Sequence, residues 1–219
     1  MSSFAPFAKP MYVMLKPVGS KCNLDCEYCY YLEKANLFPK KNNQVMSEEL
    51  LERFTKQYIE SQTQPQVMFT WHGGETLMRP LSFYRKAVEL QKKYAGGRQI
   101  DNSIQTNGTL LNDEWCAFFK EINCRYIQFT PIVERIRKNN NSSLKLATAA
   151  DEEEDVELAP FTVPAEKWGK FLCDLFDEWI KEDVAMPEPW SSTAMSTRAI
   201  TSFFPNIGWL IYMINRSLH

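Results

Sequence analysis

The sequence predicts an α/β fold organised around a parallel sheet. Between Met11 and Thr130, short apolar runs that read as strands alternate with longer runs whose apolar residues recur at helical spacing. Such alternation implies βαβ units with parallel strands. The residue clusters suited to chemistry all follow a predicted strand directly. In parallel sheets, ligands bind in the loops at the carboxyl ends of the strands.

Met11 to Lys16 is short and mostly apolar and supplies the first strand. Ser47 can cap a helix, with Glu48 and Glu49 near its positive end and Leu50, Leu51, Phe54 and Tyr58 on one face. Val67 to Trp71 is the second strand. Pro80 can open a helix with Leu81, Tyr84, Val88 and Tyr94 on its apolar side, ended by Gly96 and Gly97. Ile100 to Thr106 is the third strand, closed by the Asn107-Gly108 turn signal. Asn112 can cap a helix carrying Trp115, Phe118 and Phe119, and Tyr126 to Thr130 is the fourth strand.

The pattern then breaks. Asn139 to Ser143 and Asp151 to Asp155 are polar and acidic and read as a mobile linker. Pro164 to Val184 is an amphipathic helix whose apolar stripe includes Trp168, Phe171, Leu172, Leu175, Phe176, Trp179 and Ile180. No clear periodicity follows Met186. The expected organisation is a core over residues 1–136, an acidic linker over 137–163, a helix over 164–184 packing on the core, and an irregular, unassigned tail over 185–219.

Composition narrows the partners. A length of 219 residues can bury a substantial core, and 44% hydrophobic with 24% charged residues describes a globular chain. A formal net charge of -2 with mixed signs gives no nucleic-acid surface and no polybasic membrane patch. The apolar stretch from Phe203 to Ile214 is interrupted by Pro205, Asn206 and Gly208 and is too short to span a bilayer. Met1 to Pro10 has no continuous apolar segment, which argues against a signal peptide. Six cysteines in that setting fit a reducing cytoplasm, where thiolates bind metal.

Cys22, Cys26 and Cys29 stand in C-x3-C-x2-C spacing after the first strand. Three thiolates on one short loop can hold three irons of a [4Fe-4S] cubane. The fourth iron then lacks a protein ligand, and the amino and carboxylate groups of S-adenosylmethionine (SAM) can chelate it. Two other readings stand beside this one. A zinc site would need a fourth ligand, from His72 or another cysteine. The three thiols could also be structural and buried.

Two further loops follow the next strands. Gly73-Gly74-Glu75 after the second strand lets backbone approach a ligand closely, and Glu75 could anchor an ammonium group. Alone, such a triplet is a plain turn. One βα unit after the cysteines it becomes a wall for SAM. Asn107, after the third strand, is by itself an ordinary turn residue and in this context a third wall. His72, the only internal histidine, has a packed role open to it as well as a catalytic one.

Together these loops resemble radical SAM enzymes, and their wording resembles the anaerobic sulfatase-maturating branch. The carrying segments are Lys16 through Tyr31, Trp71 through Leu77, and Ser103 through Leu111, and the later piece from Tyr126 through Arg135 and the helix around Trp168 to Asp183 also look like that family. The resemblance implies a partial (β/α) barrel of the radical SAM type, incomplete here, and oxidation of a sulfatase Cys or Ser to Cα-formylglycine through a 5′-deoxyadenosyl radical. It implies Cys22, Cys26 and Cys29 as cluster ligands. Tyr28, Gly73, Gly74, Glu75, Asn107 and Val133 are the expected SAM contacts. It also implies a sulfatase polypeptide as substrate and a reducing donor such as a flavodoxin or ferredoxin.

Two departures limit the resemblance. Where the family has a further strand with a Ser-x-Asp-Gly motif and then more barrel units, Trp115 to Glu121 runs directly into Ile122 to Tyr126. The family's Ser and Arg contacts to SAM lie in that missing piece. The family's later cysteine-rich region and its acidic base are also not found, since no cysteine follows Cys173. Cys173, Cys116 and Cys124 read as packed core thiols. The expectation is therefore impaired maturase activity with no catalytic base assigned, the alternative being a non-catalytic remnant that binds a cluster at most.

Overall fold

A computed structural model describes residues 10–29, 31, 45–138, 146–181 and, for the backbone, 209–215. The strands are β1 (Met14–Leu15), β2 (Gln66–Trp71), β3 (Gln99–Thr106), β4 (Cys124–Pro131), β5 (Arg135–Arg137), β6 (Val156–Leu158) and β7 (Trp209–Asn215). The helices are α1 (Glu48–Ser61), α2 (Leu81–Tyr94), α3 (Asp113–Glu121) and α4 (Ala165–Trp179).

The helix starts follow local chemistry. Ser47 Oγ accepts the Leu50 N–H at 3.2 Å and Asn112 Oδ1 accepts the Trp115 N–H at 3.0 Å. Each cap satisfies an otherwise orphan donor and is worth about 1 kcal/mol. α2 opens directly after Pro80, which has no N–H to lose.

Five strands form one sheet in the order β1-β2-β3-β7-β4. β1, β2 and β3 are parallel neighbours, with Leu15 opposite Trp71 and Thr70 opposite Ser103. β7 lies antiparallel between β3 and β4, and its Met213 stands opposite Ile104 on one side and Ile127 on the other. β4 therefore runs in the same direction as β3. The tail expected to be irregular supplies this strand, so the sheet is mixed rather than purely parallel and β3 and β4 are not neighbours. No closed barrel forms among the described residues.

Alternate residues of the parallel strands face the helices. Val67, Phe69 and Trp71 of β2 and Ile100 and Ile104 of β3 share one buried cluster with residues of α1, α2 and α3. Phe69 is fully buried and meets Tyr58 edge-on at 5.1 Å, while Trp71 meets Tyr84 at 5.4 Å. Edge-to-face pairs of this kind add about 0.5–1.5 kcal/mol beyond area burial. Leu50, expected on the apolar face of α1, is 40% exposed, because Leu51, Thr55, Tyr58 and Ile59 form the buried face instead.

The expected linker carries secondary structure over its described residues. β5 pairs antiparallel with β6, and Arg137 forms a 2.8 Å ion pair with Asp151. The stretch 139–145 lies outside the described residues. α4 packs on β4 through Phe171 and Phe129, whose rings meet at 5.2 Å and 71°. Leu172, Phe176 and Ile180 remain substantially exposed, so only part of the expected apolar stripe is covered. Residues 182–184, the expected end of that helix, lie outside the described residues.

Candidate functional site

The site is a rim built at the carboxyl ends of β1, β2 and β3. After β1 the chain turns tightly: Lys16 O accepts the Gly19 N–H at 3.0 Å, and Val18 O accepts the Lys21 N–H at 3.3 Å. Gly19 has φ 64°, a left-handed conformation that glycine adopts without strain. This delivers the chain to Cys22. A second turn, in which Cys26 O accepts the Cys29 N–H at 2.8 Å, brings Cys26 and Cys29 to one end of the loop. All three thiols are free and half-buried.

Three free thiols on one short loop are the donor set for an iron–sulfur cubane, in which each thiolate binds a different iron. Among the described residues no three His, Cys, Asp or Glu side chains gather tightly enough to share one ion. Burial pushes the Cys22 thiol up from its ordinary value. The Leu24 N–H, which donates to Cys22 Sγ at 3.4 Å, works against that.

The loop after β2 is clamped against the cysteine loop. His72 N–H donates to Leu15 O at 2.8 Å, Gly74 N–H to Gly19 O at 3.0 Å and Glu75 N–H to Lys21 O at 2.7 Å. A Cβ on Gly74 would lie 1.8 Å from Lys21 O, an overlap no side chain tolerates. Gly73 has φ 119°, and a Cβ there would meet Gly19 O at 2.7 Å. The two glycines thus let one loop lie directly under the other. The N–H groups of Gly74 and Glu75 are used within the chain rather than offered to a ligand.

Glu75 is fully buried. Its Oε1 accepts the Thr106 hydroxyl at 2.6 Å and the Leu77 N–H at 2.8 Å, and its Oε2 accepts the Asn107 N–H at 2.8 Å. Burial raises its carboxyl above the ordinary glutamate value, and these donors pull it back. The sequence suggested an anchor for an ammonium group. In the structure this carboxylate ties the end of β2 to the end of β3.

Asn107, so positioned, reaches back to the cysteine loop. Its Nδ2 donates to Asn23 Oδ1 at 3.0 Å and lies 3.7 Å from Cys22 Sγ. Asn23 Nδ2 donates to Thr109 Oγ1 at 2.7 Å. Sequence reasoning missed Asn23 and Thr109. The Asn-Gly-Thr run did carry a signal, because Asn side chains accept from the backbone two residues on, as Asn107 Oδ1 does from the Thr109 N–H at 3.0 Å.

Tyr28 packs against Phe161 with ring centroids 4.9 Å apart and planes tilted by 33°. Burial, then a hydrogen bond with Cys26, pushes its phenol up from the ordinary value. His72 Nδ1 accepts the Gly73 N–H at 2.7 Å, which assigns the ring proton to Nε2 in the neutral form. Tyr31 stands beside it, its hydroxyl 3.4 Å from the same nitrogen, with Lys16 Nζ 4.6 Å from the Tyr31 ring centre.

Val133 is 58% exposed and follows β4 on the same rim. The intervening β7 sets β4 two strand spacings, about 10 Å, from β3. Cys116 and Cys124 are buried, as expected of core thiols, but Cys173 is exposed on α4. The helix turns Phe171 and Leu175 toward the sheet and leaves Cys173 on the outer side.

The chain is similar in sequence to known proteins. The family model described as the radical SAM superfamily matches residues 17–131, from the turn after β1 to the end of β4. A serine-type anaerobic sulfatase-maturating enzyme of Bacteroides thetaiotaomicron is 49% identical over 252 aligned residues, covering 84% of this chain and 60% of that protein. That alignment is longer than this chain, so the relative carries residues inside the matched region that have no counterpart here. The serine-type enzyme of Klebsiella pneumoniae is 45% identical over 115 residues, 51% of this chain and 28% of its own length. The chain therefore spans about three-fifths or less of the length of these relatives. A solved structure described as native anSMEcpe with bound AdoMet and Cp18Cys peptide is 34% identical, with a TM-score of 0.44, covering 51% of this chain and 28% of that one. With the three-cysteine loop, the Gly-Gly-Glu loop and the Asn107 turn on one rim, and more than half the chain matched by the family model, the chain belongs to the radical SAM superfamily.

Proposed function

We propose that Cys22, Cys26 and Cys29 hold one [4Fe-4S] cluster whose open iron takes SAM, and that the chain acts as a sulfatase maturase converting a sulfatase Ser or Cys to formylglycine. When bound, the reduced cluster supplies one electron to SAM, the chemistry that starts hydrogen removal from a side-chain Cβ. The observation that carries this reading is the clamp between loops: Glu75 N–H on Lys21 O and Gly74 N–H on Gly19 O hold the cysteine loop against the Gly-Gly-Glu loop.

The chain's own residues bind and aim. The backbone at Tyr28, Gly73 and Gly74 and the Asn107 turn form the walls for SAM, and Val133 offers an apolar surface further along the rim. Glu75 serves as a positioning group. Relatives of both serine and cysteine type match, and the serine-type ones at higher identity favour serine as the target. A flavodoxin or ferredoxin supplies the electron, in the cytoplasm. Among the described residues no helix is long and apolar enough to cross a membrane.

The test is anaerobic reconstitution, followed by SAM, reductant and synthetic sulfatase-motif peptides carrying Ser or Cys, with formylglycine read by mass spectrometry. Formylglycine formed more slowly than by the longer Bacteroides enzyme supports the reading. A chain that cleaves SAM yet leaves both peptides unchanged contradicts the substrate assignment, and one that cleaves no SAM is a remnant.

A further inference from the structure

We propose that Asn107 sets the reduction potential of the cluster by donating its side-chain amide to the Cys22 sulfur. This deepens the function proposed above and rests on the cluster assignment made there.

The orientation of the Asn107 amide follows from its surroundings. A backbone N–H can only donate, and the Thr109 N–H points at one Asn107 side-chain atom at 3.0 Å. That atom is therefore the oxygen. The other atom must be the NH2 group, and it faces Cys22 Sγ at 3.7 Å and Asn23 Oδ1 at 3.0 Å. The neighbours agree. Thr109 Oγ1–H donates to Asn107 Oδ1 at 2.7 Å, so its lone pair receives Asn23 Nδ2 at 2.7 Å, and Asn23 Oδ1 is turned toward Asn107 Nδ2. The ring of donors and acceptors closes in one sense only.

The backbone of Asn107 is equally fixed. The Glu75 carboxylate holds its N–H at 2.8 Å, and Glu75 is fully buried. The Leu24 N–H is a second donor to the same sulfur, at 3.4 Å. Cys22 thus has a local donor from its own loop and a remote one from the loop after β3. Hydrogen bonds to a ligand sulfur withdraw charge and favour the reduced, more negative cluster. Hydrogen bonds to charged groups are worth about 1.5 kcal/mol at the lower end, or roughly tenfold in an equilibrium. For a one-electron couple, tenfold corresponds to about 59 mV.

The experiment uses the reconstituted full chain, its iron and sulfide content, and an EPR-monitored redox titration without SAM. Asn107→Asp keeps the side-chain shape and replaces the donor with a negative acceptor. Asn23→Ala removes the clasp and leaves the donor. The expected result is a cluster about tenfold harder to reduce in Asn107→Asp, and one little changed in Asn23→Ala. An unchanged potential in Asn107→Asp with a full cluster overturns the proposal and leaves the cluster assignment standing. A wild-type chain that assembles no cluster overturns both. Because the aspartate charge by itself disfavours reduction, and the variant can also lose its cluster, the wild type labelled with 15N in its Asn side chains decides. A 15N hyperfine coupling to the reduced cluster that survives Asn23→Ala supports the proposal, and no coupling in the wild type overturns it.

Discussion

The buried carboxylate of Glu75 accepts the backbone N–H of Asn107 at 2.8 Å, joining the loop after β2 to the loop after β3. Because Glu75 N–H also donates to Lys21 O at 2.7 Å, one residue connects all three loops of the rim.

Glu75→Gln turns one acceptor oxygen into a donor facing N–H or O–H groups. We expect a loss of about 1–3 kcal/mol, read as a lower urea midpoint with unchanged slope. The pH dependence has a definite sign. The folded protein binds the Glu75 proton more tightly than the unfolded chain, because burial raises its value. Its contribution therefore favours folding at low pH, falls as pH climbs from the ordinary glutamate value through the raised one, and is level above. The Gln variant loses that slope.

Gly74→Ala places a methyl 1.8 Å from Lys21 O. The obstacle is backbone, so the loops must separate. We expect a loss of about 3 kcal/mol or more and failure to retain iron after reconstitution. Gly169→Ala is the control, since nothing lies within 4 Å and the residue sits inside α4. It should stabilise by about 0.5–1 kcal/mol in the same urea assay.

Burial, then the nearby Lys16 charge, holds the His72 imidazole below its ordinary value. The folded state therefore binds this proton less tightly than the unfolded chain. Stability contributed by this group rises as pH climbs through the lowered value to the ordinary one and is level above. NMR titration should show the Lys16→Met variant moving the His72 midpoint upward.

Much of this was legible because it is local. Ser47 and Asn112 cap helices through side chains three residues from their targets, and the strand-then-loop order placed the cysteines, the glycines and Asn107 at strand ends. The task of Glu75 was not legible, since its partners Thr106 and Asn107 lie some thirty residues away and come near only when β2 pairs with β3. β7 was hidden for a similar reason. Its hydrogen bonds go to strands far off in sequence, and Pro205 and Gly208 break the apolar run that precedes it. The stripe on α4 shows a helix but not which side of it is covered, so Cys173 reads as a packed core thiol while the structure leaves it exposed.

Removing β7 strips hydrogen-bonding partners from both β3 and β4. A chain ending at Lys181 should expose two strand edges and self-associate. Size-exclusion chromatography with light scattering should show higher-order species, or precipitation, where the full chain gives a defined peak.

Thiol labelling separates the cysteines by environment. In the native, cluster-loaded protein, iodoacetamide should modify the exposed Cys173 first and leave the buried Cys116 and Cys124 untouched. Chelation of iron should then release Cys22, Cys26 and Cys29 to the reagent, a step that peptide mapping can resolve.

A rim that holds a cluster with one iron open to SAM must cleave SAM once the cluster is reduced. The most direct test is 5′-deoxyadenosine formation by the anaerobically reconstituted and reduced chain on addition of SAM. The expected result is product that disappears when Cys22, Cys26 and Cys29 are all replaced by Ala. A spectroscopically intact cluster that releases no 5′-deoxyadenosine would contradict the account.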